Sequence, residues 1–168
     1  MNFIQNLNKK LNYATEASLI NLDAVAGTEV TTANTVVTLV DYASPKLDST
    51  DIIEAQYVFA VNNASGANEA ITCVLYVGSN DIATTTATVN NGVDSDGFAS
   101  IKAIKTTNGY LTTFTLSHHG QTATGTTMLS ASDFTELSLT AKNDSIAAAG
   151  LDIVGTGGYV ILDNVNVK

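Results

Sequence analysis

The chain has no arginine and no tryptophan, and only one cysteine and one proline in 168 residues. Seven lysines face sixteen acids, for a net charge of −9. Arginine is the residue of choice for phosphate forks and guanine edges, and an acidic surface repels a polyanion, so nucleic acid is excluded as a partner. Cys73 has no second cysteine to pair with. It sits in the apolar run Ala70–Val77 (AITCVLYV) and reads as a small buried hydrophobe rather than a nucleophile. No apolar run approaches the ~20 residues of a membrane-spanning helix, and the N-terminus lacks the continuous apolar stretch of a signal peptide. A nucleophile elbow, a phosphate loop and a dinucleotide fingerprint are all missing, so no enzyme activity, metal or cofactor is expected.

What is present is threonine alternating with valine, alanine and leucine. Thr31–Val40, Ile82–Val89, Tyr110–Ser117 and Glu136–Ala141 all carry this period of two, the mark of strands with one face in a core and one in water. Strands are expected over Thr35–Tyr42, Ile52–Asn62, Ala70–Val77, Ile82–Val89, Phe98–Ile104, Tyr110–His118, Phe134–Lys142 and Gly158–Val167. Turn signals separate them, among them Ser44-Pro45, Gly78-Ser79-Asn80, His119-Gly120 and Gly155–Gly158 (GTGG). Asn108-Gly109 predicts a hairpin with a type I′ turn. The fold class read from this is all-β, an antiparallel β-sandwich of jelly-roll kind.

Two constellations are candidates for chemistry. Asp94-Ser95-Asp96-Gly97 places Asp94 and Asp96 two apart before a glycine, as in half of a calcium loop, although the full ligand spacing is absent. His118 and His119 are adjacent at a strand end and read as surface or rim imidazoles on opposite faces. The aromatics fall inside strand patterns and read as core.

The first stretch differs from the rest. Phe3, Ile4, Leu7 and Leu11 recur at helical spacing, predicting a short amphipathic helix over Asn2–Asn12 whose apolar stripe needs a partner surface, either its own domain or another subunit. Residues 1–27 therefore read as an N-terminal anchoring arm and 28–168 as the sandwich. With this arm, the C-terminal run from SDFTELSLTAKND to GTGGYVILDNVNVK resembles the closing strands of tailed-bacteriophage virion jelly-roll proteins of the capsid-decoration, head-fibre or tail-fibre type. The resemblance implies a non-enzymatic structural protein on the virion exterior, made in the host cytoplasm. It also implies that the arm binds other capsid or fibre subunits; the apolar arm and the jelly-roll reading together predict a homo-oligomer, preferentially a trimer. The alternative is a carbohydrate-binding or adhesin module contacting a host glycan. A jelly-roll hydrolase would need carboxylates clustered in a pocket.

Overall fold

The computed structural model describes residues 18–29, 36–145 and 150–164, so the helix expected over Asn2–Asn12 and its stripe of Phe3, Ile4, Leu7 and Leu11 lie outside the described residues. The strands are β1 (Ser18–Leu22), β2 (Val25–Glu29), β3 (Val36–Ala43), β4 (Ile52–Asn63), β5 (Glu69–Val77) and β6 (Asn80–Val89). They continue with β7 (Val93–Thr106), β8 (Gly109–His118), β9 (Gln121–Leu129), β10 (Glu136–Asn143) and β11 (Leu151–Asp163). One sheet runs β1-β11-β4-β7-β8-β9, with β2 continuing β1 along the same edge of β11; the other runs β3-β10-β5-β6. Every pairing is antiparallel.

The strand order is that of a jelly roll. From the outside of the chain inwards, β1 and β2 pair with β11, β3 with β10, β4 with β7, and β5 with β6. This is one long antiparallel ribbon rolled into two facing sheets. The β8–β9 hairpin is an addition, extending the larger sheet beyond β7. Alternation places Ile53, Ala55, Tyr57, Phe59 and Val61 of β4 against Ile71, Cys73, Leu75 and Val77 of β5, with Leu137 and Leu139 of β10 beside them. Each large apolar side chain so buried contributes about 1.5–3 kcal/mol. Cys73 lies in this core, and burial pushes its thiol up to about 12, far from a reactive thiolate.

Strands β3 to β8, β10 and β11 overlap the expected ones. β1, β2 and β9 are not among them. β1 falls within the stretch 1–27 read as an arm and β2 runs across its boundary, so Ser18–Leu22 and Val25–Glu29 pair in the sheet, with Ile20 and Leu22 packed on the core. In β9 (QTATGTTML) threonines alternate with alanine, glycine and another threonine, which leaves no apolar–polar contrast to read. Two turn readings are corrected. Gly155–Gly158 is no turn but the middle of β11, where the register shifts between Gly155 and Gly157. A Cβ on Gly158 would lie 2.0 Å from the Gln56 carbonyl oxygen, so close backbone approach explains that glycine. The β7–β8 connection is a two-residue loop, Thr107-Asn108, closed by the pair Thr106–Gly109. Neither loop residue has positive φ; the type I′ geometry occurs instead at His119 (φ 46°) and Gly120 (φ 77°).

The ends are sealed differently. At one, Leu47 is fully buried, and the Tyr110 hydroxyl reaches the Leu47 carbonyl at 3.0 Å and the Thr50 carbonyl beside it. At the other, the buried Glu69 carboxylate accepts from Asn143 Nδ2 and Ser65 Oγ, both at 3.0 Å, and Asn63 Nδ2 donates to the Val89 carbonyl at 2.8 Å.

Gly97 on β7 is the cross-strand partner of Phe59 on β4, whose ring lies over it: a Cβ there would sit 2.0 Å from Phe59 Cζ. Gly97→Ala is expected to destabilise the fold by about 1–3 kcal/mol in urea denaturation. Adding Phe59→Leu, which shortens the opposing side chain, should make the two losses less than additive.

Candidate functional site

The void between the sheets is about 20 Å³, room for roughly one water, and is lined by side chains such as Tyr57, Leu75, Ile101, Leu139 and Val160. The roomier depressions among the described residues lie on an outer sheet face and beside the loop after β3. On the outer face of the larger sheet, cross-strand register aligns Tyr159, Gln56, Ser100, Thr115 and Thr124 in one row over five strands. The adjacent row is Ile161, Glu54, Lys102, Thr113 and Thr126. Between the rows lies a shallow groove of about 140 Å³ lined by Glu54, Gln56, Ser100, Lys102, Thr113 and Thr115. Lys102 Nζ stands 3.6 Å from Glu54 Oε2 in a half-exposed pair, so the groove is locally neutral. Half-buried Tyr159 sits at the end of its row, and half-buried Phe98 lies opposite Val58 in the row beyond. Hydroxyls, one amide and two ring faces make this surface fit for neutral, hydroxyl-rich ligands. Tyr159 reaches it because the β11 register shift precedes it, a placement the run GTGGY does not disclose.

The candidate residues fare differently. Asp94 and Asp96 lie on β7, exposed, opposite Asn62 and Ala60. Same-face neighbours on a strand stand roughly 7 Å apart along it, and no loop wraps them. Among the described residues no three acidic, histidine or cysteine side chains converge. Asp41 and Glu54 are on different sheets, so the acids between residues 41 and 54 form no single cluster across them.

The rim reading of His118 is corrected. His118 is fully buried on the inward face of β8, its ring centroid 5.8 Å from that of Phe59, with neither ring nitrogen hydrogen-bonded. His119 occupies the turn, and its Nδ1 is 3.0 Å from Ser95 Oγ. A hydroxyl beside an imidazole is the start of a nucleophile–base pair, but Ser95 is buried under the sheet, so this contact ties the turn to β7.

No family model and no curated protein matches this chain. Solved structures similar in layout include a seed lectin of Lotus tetragonolobus (11% identity, TM-score 0.46, covering 90% of this chain and 100% of that one). Another is the CBM2 module of the evolved Dit of Lactobacillus casei BL23 phage J-1 (13%, 0.40, 84% and 77%). A third is infectious bursal disease virus, Gx strain (9%, 0.41, 92% of this chain and 34% of that one). At such identities the binding chemistry is read from the residues of this chain alone.

Burial, with a smaller push from His119, lowers the His118 pKa from 6.5 to about 4. The unfolded chain takes up this proton near pH 6.5 and the folded one only near 4. Its contribution is therefore complete above 6.5 and is lost as pH falls towards 4, by on the order of 3 kcal/mol. Asp144 acts in a lower window: partial burial opposes ionisation, but hydrogen bonds from Lys142 and Thr72 hold its carboxyl below the usual range. His118→Leu should flatten the urea midpoint between pH 6.5 and 4.5 and leave the loss below pH 4 in place.

Proposed function

We propose that the protein is a non-enzymatic structural protein of a virion, of the capsid-decoration or fibre kind. In this reading residues 1–17 attach it to the particle and the sandwich is presented outward. The observation that supports it is the division of the molecule into a filled jelly-roll interior and broad, threonine-covered sheet faces. Those faces offer area for contact, while the void between the sheets holds about one water. A chain lacking residues 1–17 should keep a cooperative melt, because every described strand, from β1 at Ser18 onward, is retained. It should fail to co-sediment with particles when produced alongside the other virion proteins. Unchanged incorporation would overturn the attachment role.

A second reading is supported by the row Tyr159–Gln56–Ser100–Thr115 beside the groove: the large sheet's outer face binds a neutral oligosaccharide, with Tyr159 as the ring platform. Glycan-array screening followed by calorimetry should find a neutral glycan whose affinity drops about tenfold on Tyr159→Ala or Gln56→Ala, the scale of one lost hydrogen bond or ring contact. Binding indifferent to both variants would remove the groove from consideration.

A further inference from the structure

We propose that the flank carrying β9 is a self-association surface, on which β9 pairs antiparallel with β9 of a second copy about a twofold axis at Gly125. This contact is independent of particle attachment and of glycan binding.

The first observation is the edge itself. β9 ends the larger sheet, with β8 on one side and no strand on the other among the described residues. Along such an edge, alternate residues turn N–H and C=O outward, a template for another strand. Proteins usually blunt long edges with lysine, proline or a bulge. β9 has none of these: it runs nine residues and stays in unbroken register with β8. The other sheet's edge on this flank, β6, faces a register shift on β5 and carries Asp81, which makes it the poorer template.

The second observation is charge. From Tyr110 through Ser132 there is no aspartate, glutamate, lysine or arginine, in a chain of net charge −9. The opposite flank, formed by β1, β2, β3 and β11, carries Asp23, Asp41, Asp152 and Asp163. Two copies meeting by their acidic flanks repel. Two meeting by β9 pair strands that are themselves uncharged, with Asp81 of β6 the acid on this flank, and keep the four acids of the other flank on far sides, where salt screens charges over about 8 Å.

The third observation is self-complementarity. With the axis at Gly125, Thr124 faces Thr126 of the partner subunit and Thr122 faces Met128 of the partner subunit. On the inward face Ala123 meets Thr127 of the partner subunit. Threonine pairs are favourable across antiparallel strands. At the hairpin's base, Ile104, Leu111 and Met128 lie in register across β7, β8 and β9 and are 44%, 41% and 49% exposed. The joint adds apolar area at both ends of the paired strands. An axis through β9 yields a dimer; a trimer would need a different surface.

The register supplies the test. In T124K/T126K each new lysine faces a lysine of the other copy, whereas in T124K/T126E each lysine faces a glutamate; all four positions are exposed threonines on the outer face. Sedimentation velocity of the full chain over roughly 1–100 µM should show dimer for the wild type and T124K/T126E, and monomer for T124K/T126K, with matching thermal melts. Should T124K/T126K not fold, hydrogen exchange of the wild type decides: β9 amides should be protected at high concentration and lose protection on dilution. A wild type monomeric throughout, a dimeric T124K/T126K, or β9 exchange independent of concentration each overturns the proposal. So does a chain lacking residues 1–17 that becomes monomeric while T124K/T126K stays dimeric, since the arm is then the contact.

Discussion

The rest of the structure hangs on strand β4. Its twelve residues pair along their whole length with β7 on one side and with β11 on the other. A slip of one residue would turn Ile53, Tyr57, Phe59 and Val61 to water and bring Glu54 and Gln56 into the core, so the register is fixed by the pattern itself. Phe59 locks it further, because its ring fills the space where Gly97 has no side chain. With β4 held between two full-length neighbours, the second sheet has a single surface on which to close.

Much of this was legible, because alternating strands announce themselves wherever one face differs from the other. Tyr57, Phe59, Tyr110 and Phe134 are buried as their positions in strand patterns imply. The aromatics were less uniform than the pattern: Phe98 and Tyr159 point to the outer face and add ring surface near the groove. Tyr159 was hidden by a bulge, which changes the face a residue takes without changing its neighbours in sequence. β9 was hidden for the opposite reason, since small and hydroxylated residues on both faces give no contrast. His118 was misplaced because a polar ring at a strand end is ordinarily solvated, and only packing against Phe59 reveals that this one is not.

The two ends of the roll follow different chemistry. Around Leu47 and Tyr110 the seal is apolar, with one phenol satisfying loop carbonyls. There burial, reinforced by Asp48 and Asp51, pushes the Tyr110 hydroxyl up to about 12, so it stays a donor. Around Glu69 the seal is a polar mesh in which Ser65, Asn63 and Asn143 knit three connections together. A buried carboxylate held by neutral donors tolerates few replacements, as a shorter or neutral side chain strands the partners. The loops at that end are thus constrained by hydrogen bonding, and those at the other by shape.

The position of β11 has a consequence for synthesis. It lies between β1 and β4, so β1 cannot take its place in the sheet until Leu151–Asp163 has left the ribosome. The β7–β8–β9 meander, joined by two-residue turns, can form within microseconds of emerging. The pairing of β1 with β11 must instead close a loop spanning most of the sequence. During elongation β4 presents a long unsatisfied edge of apolar residues. The interval before β11 arrives is when the protein is most exposed to mispairing, and a cell making it in quantity would meet that hazard on every nascent chain.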